Sequence, residues 1–354
     1  MANIRDVAKA SKVSIATVSR VFNQSTLVSE ATRGRVVAVA SRLGYWPHGI
    51  ARSLTTSRTH TLGVVMPDLF GEFFSEVVHG MDLAGREQGL HLLVTRSSSS
   101  ADELTSALRS MRGRVDGLIV MAPDFDASPA LQQSPGTVPT VLLVPAITPP
   151  GCDSVSIANA DGAAMVVRHL IGLGHRTIAI IGGPERNIDA QQRRDGYRAA
   201  LARARIPRSA RFEYRGDFSE ESGYEAAREL LRGKLRPSAI FAANDYMAVG
   251  ALGALHDAGV QVPEEVAVTG FDDIALARYL IPALTTVHVD MLELGRRAVG
   301  LLLDRGGREG GGAGRSEVLG TSLVVRSSCG AASKSPGELR AAWNGERPSR
   351  PRRR

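Results

Sequence analysis

The sequence contains very little cysteine and no long hydrophobic run. Its 354 residues include two cysteines, Cys152 and Cys329, which are too few for a disulfide framework or a zinc site. No apolar segment approaches the ~18–20 residues that a membrane-spanning helix needs. The first twenty residues carry charges every few positions and lack the apolar block of a signal peptide. We therefore expect a cytoplasmic protein that makes no contact with a membrane.

Motifs of enzymes and cofactor sites are also missing. The sequence has no GxxxxGK[ST] phosphate loop, no HExxH and no GxSxG, and the Gly-Gly-Pro at residues 182–184 lacks dinucleotide-binding spacing. The eight histidines are scattered along the chain. Asp272 and Asp273 form a carboxylate pair in sequence, but adjacent residues at a strand end point apart. The sequence thus predicts no catalytic residue, no metal and no cofactor.

Charge is distributed unevenly along the chain. The whole sequence has a formal net charge of +7. Residues 1–58 alone carry +7 and residues 331–354 carry +5, which leaves −5 for residues 59–330. A compact basic module beside an acidic body is typical of proteins that bind nucleic acid or another anionic surface. A solvated pair of charged helices would show the same charge, so the pattern of apolar residues must decide between the two.

Apolar residues recur at helical spacing up to about residue 45, which predicts three short helices within residues 1–46. Asn3, Ser14 and Ser29 are placed as N-caps, and Gly44 fits a C-terminal stop. The stripe expected to face the core on the third helix consists of Val36, Val37, Ala40 and Leu43. The first two helices match a helix-turn-helix, whose second helix can lie in the major groove of DNA.

The second helix of this motif predicts specific contacts with DNA. Its outward face would carry Ile15, Ala16 and Arg20. An arginine there suits bidentate contact with guanine, whereas Ile15 and Ala16 offer apolar contact to a thymine methyl group. The hydroxyl side chains suited to phosphate contacts are Ser14, Thr17 and Ser19. An ordinary helical hairpin is the alternative interpretation of the same pattern.

From about residue 60 the apolar period changes and predicts a different fold class. Short runs rich in β-branched residues, such as HTLGVVMPD (60–68), VDGLIVMAP (115–123) and RTIAIIGG (176–183), alternate with amphipathic segments. Near-continuous apolar strands alternating with helices predict an α/β domain with parallel sheets covered on both faces. About ten strands are many for one open sheet, so two doubly wound lobes are expected over residues 59–330. Ligands of such sheets bind beyond the C-terminal ends of the strands.

Several segments resemble the lactose-repressor (LacI/GalR) family of bacterial transcription regulators. They are VSIATVSRVFN, LVSEATRGRVVAVASRLGYWPHGIARSL, TLGVVMPD, GHRTIAIIGGP, IFAANDYMAVGAL and VPEEVAVTGFDDIALARYLIPALTTV, within residues 3–330. The resemblance implies a helix-turn-helix domain, a hinge helix and a two-lobed effector domain like that of periplasmic binding proteins. It implies a homodimeric repressor that binds palindromic operator DNA under the control of a small molecule, a sugar or related metabolite.

Residues 47–58 gain a role from this resemblance. By themselves they predict a proline-started helix too short to be stable alone, or a plain linker. The resemblance implies a hinge helix that forms on operator DNA, in which Leu54 wedges into the minor groove and Arg52 holds the groove or its phosphates. Gly49 departs from the better helix formers usual there and costs roughly 1 kcal/mol relative to alanine.

The resemblance also implies a ligand site in the cleft between the lobes. Arg193, Asn244 and Asp272 match ligand-contacting positions, and an arginine with an asparagine and an aspartate suits a polyhydroxylated ligand. Phe73 matches an aromatic residue that stacks on a ligand ring, although anchoring its helix in the core is an equal alternative. The residues expected to cap the next helices are Asp245 and Asp273.

Two departures weaken the interpretation as a sugar site. Val144 and Pro145 stand where many relatives of the family carry Asp-Arg, and Ala158 stands where many carry aspartate. Both changes remove polar groups from the expected cleft. Either the ligand is less polar than a sugar or the cleft has lost its ligand.

The last segment of the chain is predicted to be a tail. Residues 331–354 predict a basic, disordered tail without a leucine heptad, which favours dimers over larger assemblies.

A transport-type binding protein would share the two-lobed fold but needs export, which the helix-turn-helix and the missing signal peptide disfavour. An enzyme would show turnover without binding DNA.

Overall fold

The computed structural model describes residues 2–22, 27–45, 58–69, 71–97, 100–133, 138–233, 235–306 and 313–331. The chain divides into two units, one formed by Met1–Thr61 with Gly113–Asp116 and the other by Leu62–Arg112 with Gly117–Arg354. The predicted hinge at residues 47–58 lies outside the described residues except for Arg58, and the predicted tail does so except for Ala331.

The described residues of the N-terminal unit contain three helices, as the sequence predicted. They are α1 (Ile4–Ser11), α2 (Ile15–Phe22) and α3 (Glu30–Arg42). Helix α1 begins at a capping box, in which the Asn3 side chain accepts from the N–H groups of Arg5 and Asp6 and the Asp6 carboxylate accepts from the N–H of Asn3. It ends where Lys12 turns left-handed, with φ 53°. The short turn that follows separates α1 from α2.

A small apolar core holds the three helices together. It consists of Val7, Ala8, Val18, Val21, Val36, Val39 and Ala40. The prediction that Val37 and Leu43 face this core was wrong, because their exposed fractions are 48% and 37%. Val39 takes the place predicted for Val37, since it lies three residues after Val36 and therefore on the same helix face. Leu43 is the C-cap of α3, one residue past the last helical residue.

The first lobe of the second unit contains a six-stranded sheet. Its strands are β1 (Thr61–Met66), β2 (His91–Arg96), β3 (Gly117–Met121), β4 (Thr140–Leu143), β5 (Asp153–Ile157) and β11 (Ser316–Leu319), in the spatial order β11-β5-β4-β3-β1-β2. Its helices are α4 (Glu72–Glu87), α5 (Ala101–Met111) and α6 (Ser128–Gln133). Strand β3 is buried along its whole length and pairs in parallel with β1 and β4, as expected of a sheet covered on both faces.

The second lobe repeats this architecture. Its strands are β6 (Ile178–Gly182), β7 (Glu213–Arg215), β8 (Ala239–Ala242), β9 (Ala267–Asp272), β10 (Thr285–His288) and β12 (Ser322–Val324), in the order β12-β10-β9-β8-β6-β7. Its helices are α7 (Asn159–Gly172), α8 (Ile188–Arg203), α9 (Glu220–Arg232) and α10 (Asp245–Asp257). Only β12 among these six strands runs antiparallel to its neighbour.

The chain crosses between the lobes more than once. After β5 in the first lobe it enters α7, which packs on α8 in the second lobe. After β10 it returns through α11 (Met291–Gly306), which packs on α4, and it crosses again between β11 and β12. The predicted α/β class with two doubly wound lobes is confirmed, and the C-terminal ends of the strands place several polar residues around one cleft.

Candidate functional site

Helix α2 presents an exposed face to solvent. Ile15, Ala16 and Arg20 are exposed, whereas Val18 and Val21 are buried in the core of the unit. Since the buried and exposed residues alternate at helical spacing, the core fixes which side of α2 is available. The outward direction predicted for Ile15, Ala16 and Arg20 is therefore the one that the structure shows.

The hydroxyl side chains near the start of α2 form the local cap. Ser14 Oγ accepts a hydrogen bond from the N–H of Thr17 at 3.1 Å and lies 2.9 Å from Thr17 Oγ1. Ser14 is exposed, and Thr17 and Ser19 are half-buried. Helix α3 is tied to α2 because the Arg33 guanidinium donates to the carbonyl oxygen of Val21 at 3.1 Å.

Basic side chains cover the surface of this unit. The exposed ones are Arg5, Lys9, Lys12, Arg20, Arg35 and Arg42, and the exposed acids among the described residues of the same helices are Asp6 and Glu30. A surface with such an excess of cations attracts the phosphate backbone of DNA. Arg52 and Leu54, predicted to contact the minor groove, lie outside the described residues, as does Gly49.

A cleft of about 630 Å³ opens between the two lobes of the second unit. It is lined by residues of both lobes, which include Pro67, Asp68, Phe73, Phe74, Arg96, Pro123, Asp124, Asn187, Asp189, Arg193, Asp217, Phe218, Glu220, Asn244, Tyr246 and Asp272. The four residues predicted to bind a ligand are all among them. The prediction thus found one site, although it missed several of its polar residues.

Arg193 is the best-held side chain of the cleft. It is 3% exposed, and its Nε donates to Asn159 Oδ1 at 2.8 Å while its Nη1 donates to the carbonyl oxygen of Ala243 at 2.6 Å. Its Nη2 lies 3.1 Å from Asp272 Oδ1, and its guanidinium carbon lies 3.8 Å from the centre of the Phe271 ring. These contacts fix the guanidinium from several sides, so a ligand meets a positioned cation rather than a flexible one.

Asp272 ends strand β9 in a strained conformation. Its φ is 109°, a value that side chains other than glycine rarely adopt, and such strain is typical of functional positions. The residue is 6% exposed, and its Oδ1 makes no hydrogen bond to any described residue although it is ion-paired with Arg193. Burial raises the pKa of the Asp272 carboxyl to about 6 against the opposing effect of Arg193.

Asp189 is a second buried carboxylate, which the sequence analysis did not identify. It lies in the first turn of α8, is 6% exposed, and accepts a hydrogen bond from Asn159 Nδ2 at 2.6 Å. Burial raises the pKa of its carboxyl to about 6, while the guanidinium of Arg193 lowers it. The only sequence signal was its position, four residues before Arg193 and hence on the same face of the helix.

Asn244 and Phe73 line the cleft, and both also make contacts within the protein. Asn244 Oδ1 caps α10 by accepting from the N–H of Met247 at 2.9 Å, and its Nδ2 donates to the carbonyl oxygen of Phe218 at 2.9 Å. Phe73 is half-buried and packs edge-to-face on Phe74, with 5.4 Å between ring centres. Phe73 packs on the core and also lines the cleft, and its predicted stacking on a ligand ring stays a prediction.

The expectation that Asp245 and Asp273 cap helices was wrong. Asp245 is fully buried, accepts from the Thr286 hydroxyl at 2.5 Å and from the N–H of Ile274 at 2.9 Å, and leaves the capping of α10 to Asn244. Burial and the nearby charge of Asp272 raise the pKa of Asp245 well above its ordinary range.

Asp273 instead pairs with two basic side chains. It lies 2.6 Å from Arg326 Nη2 and 3.1 Å from His288 Nδ1. Both of these side chains belong to the second lobe, so Asp273 fixes the loop after β9 to that lobe.

The departures from the family pattern lie outside the cleft lining. Val144 is buried, and neither it, Pro145 nor Ala158 lines the cleft. None of these three positions therefore supplies a polar side chain to the cleft. Asp124, Asn187 and Asp189 supply polar groups from other parts of the wall.

Hydrogen bonds join the two lobes at both edges of the cleft. At one edge the N–H of Glu72 donates to the Tyr246 hydroxyl at 2.9 Å, and the Glu72 carboxylate accepts from the N–H of Ala275 at 2.5 Å. At the other edge Asn187 Nδ2 donates to Asp124 Oδ1 at 2.9 Å. Since α4 carries Glu72 in the first lobe and Ala275 follows the loop of Asp272 in the second, these hydrogen bonds join the lobes beside that loop.

In the part of the chain that the structure describes, no three His, Cys, Asp or Glu side chains are grouped so as to hold a metal ion. The described helices include none that is long and apolar enough to cross a membrane.

Comparisons with known proteins match both parts of the chain. A family model described as bacterial regulatory proteins of the lacI family matches residues 3–48, and one described as a periplasmic binding protein-like domain matches residues 167–329. The ribose operon repressor of Escherichia coli strain K12 is 38% identical over 307 residues, which cover 86% of this chain and 93% of the repressor. The HTH-type transcriptional repressor PurR of Haemophilus influenzae strain PittEE is 34% identical over 307 residues, which cover 86% of this chain and 91% of PurR.

A solved structure gives the same architecture. The crystal structure of the Lac repressor dimer bound to operator and the anti-inducer ONPF superposes with a TM-score of 0.83 at 32% identity. The match covers 93% of this chain and 99% of that chain. The likeness therefore extends over the helical unit and both lobes.

Proposed function

This chain belongs to the LacI family of bacterial regulatory proteins and is a DNA-binding transcriptional regulator, and we propose that it is a repressor whose operator affinity is set by a small molecule bound between its lobes. The observation that carries the proposal is the combination of an exposed, basic recognition helix with a separate cleft lined by buried polar side chains. Its relatives include two repressors and a Lac repressor dimer bound to operator. We propose that this chain also acts as a homodimer on palindromic sites.

In the proposed complex α2 lies in the major groove. Arg20 contacts guanine, and Ile15 and Ala16 contact a thymine methyl group, because these three side chains are exposed on one helix. The hydroxyls proposed to contact phosphates are those of Ser14, Thr17 and Ser19. Arg52 and Leu54 are proposed, from the family resemblance alone, to bind the minor groove at the centre of the operator.

In the cleft we propose that Arg193 and Asp272 bind hydroxyl groups of the effector, with Asn244 beside them and Phe73 against an apolar face of the ligand. Arg193 is held by its other contacts, and Asp272 lines the cleft beside it with a carboxylate that accepts hydrogen bonds. A polyhydroxylated ligand, a sugar or related metabolite, satisfies both groups at once.

Binding in the cleft is coupled to DNA through closure of the lobes. The contacts of Glu72 with Tyr246 and Ala275 join the lobes beside the loop of Asp272. A ligand that binds one degree of closure better than another shifts the equilibrium by its difference in affinity, and a few kcal/mol suffice. We propose that this shift stabilises or melts the hinge and so changes operator affinity.

We propose further that the cleft binds its ligand without chemical turnover and that the protein acts in the cytoplasm on chromosomal operators. The relatives named above are repressors, which supports the first point.

The test is a gel shift of the full-length protein on the DNA upstream of its own gene, at moderate ionic strength. A thermal-shift screen of sugars, nucleosides and small acids then identifies the effector, whose addition to the gel shift gives the sign of the response. We expect a specific complex that one ligand strengthens or releases. Equal affinity for palindromic and random duplexes, with and without ligands, would contradict the proposal.

A further inference from the structure

Building on the proposed effector function, we infer that Asp189 makes the cleft selective for polyhydroxylated ligands that carry no negative charge, and against their phosphorylated counterparts. Asp189 belongs to the cleft wall, and the family resemblance in the sequence assigned it no role.

The buried charges of the cleft are not balanced. Asp189 and Asp272 are each 6% exposed and share one buried guanidinium, that of Arg193. The three guanidinium nitrogens of Arg193 are directed at Asn159, Ala243 and Asp272, and no described cation lies within 4.0 Å of the Asp189 carboxylate. Asp189 therefore remains a buried carboxylate that faces the cleft without a direct ion-pair partner.

The rest of the lining increases the negative charge. The carboxylates around the cleft are those of Asp68, Asp124, Asp189, Asp217, Glu220 and Asp272, whereas the guanidinium groups are those of Arg96 and Arg193. Arg96 is exposed, so solvent screens its charge, whereas the charge of Asp189 acts in a site of lower dielectric. A phosphate entering this cleft is repelled by Asp189 and finds no second buried cation among the lining residues.

The same lining attracts a neutral polyol. Its hydroxyl groups donate hydrogen bonds, and the buried carboxylates that line the cleft, those of Asp189 and Asp272, are acceptors for them. Phe73 and Phe74 add an aromatic wall on the first-lobe side, against which the apolar face of a sugar or cyclitol ring can pack. The same side chains thus attract hydroxyl donors and reject anions.

The experiment compares matched ligand pairs on the full-length protein by isothermal titration calorimetry at pH 7.5. The pairs are ribose with ribose 5-phosphate, glucose with glucose 6-phosphate, and myo-inositol with inositol 1-phosphate. We expect that in any pair that binds, the phosphorylated member binds about 100-fold or more weakly than its parent. Asp189→Asn should reduce this ratio by about tenfold or more, because it removes the charge and keeps the shape.

Asp195→Asn is the matched control, since Asp195 lies exposed on the same helix outside the cleft lining and loses the same charge. It should leave the ratio unchanged. If Asp189→Asn does not fold, Asp189→Ser serves as the second variant.

Tighter binding of a phosphorylated member than of its parent would overturn the inference and leave the proposed function standing. So would an unchanged ratio in Asp189→Asn when the variant still binds the parent ligand. Binding of no member of any pair, with no effect of any of them on operator binding, would instead contradict the proposed class of effector itself.

Discussion

The helix-turn-helix unit and the cleft place their functional side chains in opposite environments. In the unit, Ile15, Ala16 and Arg20 are exposed above a small apolar core. In the cleft, Arg193 and Asp272 are 3% and 6% exposed and are part of a buried polar network. An exposed contact residue contributes little to folding, whereas breaking a buried ionic network costs several kcal/mol. Substitutions of the exposed residues of the helix-turn-helix unit should therefore change DNA binding without changing stability. Substitutions in the cleft should change ligand binding and stability together.

The largest expected effect is that of Arg193→Ala. The substitution leaves Asp189 and Asp272 buried without their shared cation, so the free energy of unfolding of the α/β unit should fall by about 3–5 kcal/mol. Urea denaturation followed by circular dichroism measures this change. Arg203→Ala, exposed at the end of the same helix, is the control and should change stability by less than about 0.5 kcal/mol.

If the free energy of unfolding falls by less than about 1 kcal/mol in Arg193→Ala, the carboxylates of Asp189 and Asp272 lose their charge at little cost to stability. Ligand binding and stability would then not be coupled in the cleft.

The next effect is on the pH dependence of stability. Asp189 and Asp272 have folded-state pKa values of about 6, above the ordinary value of 3.8. Between these pH values the folded state binds more protons than the unfolded state, so their contribution to stability is complete below pH 3.8 and is lost as the pH rises through 6. Asp189→Asn removes one of the two groups. The variant should lose less stability between pH 4.5 and 6.5 and be more stable than the original chain at pH 7.5.

Urea midpoints at these three pH values measure the effect, and Asp195→Asn should reproduce the slope of the unmodified chain. Parallel pH profiles for the unmodified chain and for Asp189→Asn would show that Asp189 does not titrate in this range.

Arg20→Ala should act on binding alone. Discrimination at one operator base pair should fall by ~1–3 kcal/mol, while the thermal midpoint stays the same, because the side chain is exposed. Competition gel shifts against single-base operator variants give the specificity profile. Arg35→Ala, an exposed arginine on α3, is the comparison and should weaken all sequences alike. If the profile of Arg20→Ala matches that of the unmodified protein, Arg20 does not contact a base.

The same contrast explains how much the sequence could predict. In the N-terminal unit a helical period places residues relative to one core, so the exposure of Ile15, Ala16 and Arg20 was predictable from spacing. The error at Val37 and Leu43 arose because one residue lies a third of a turn away from the core face and the other lies beyond the end of α3.

In the cleft, the rule that ligands bind beyond strand ends correctly placed Asn244 and Asp272 in the lining. The rule does not say where the side chains of the next residues, Asp245 and Asp273, point. Asp245 and Asp273 looked like caps in sequence. The structure instead buries Asp245 against Ile274 and Thr286, contacts that depend on how β9 and β10 pack against α10.

Asp189 could not be found by these means. It begins a helix rather than ending a strand, and only the packing of α8 turns its carboxylate towards the cleft. The family pattern pointed to lost polar groups at Val144, Pro145 and Ala158 and so suggested a less polar site. The structure shows that polar groups of the cleft come from elsewhere on its walls, which a comparison of aligned positions cannot reveal.

Removal of the basic C-terminal segment should have the smallest effect, because its sequence predicts contacts with phosphates and not with bases. Ala331 is buried, so the deletion begins at residue 332 and removes none of the described residues. Residues 332–354 contain seven basic and two acidic side chains, which attract any duplex through its phosphates without reading sequence. Operator affinity at 200 mM salt should change by no more than about twofold, while nonspecific affinity at 50 mM salt falls. Fluorescence anisotropy over a salt series on operator and random duplexes measures both. A loss of operator preference would show that this segment takes part in reading the site, and that the division between a DNA-reading unit and a ligand-binding unit is incomplete.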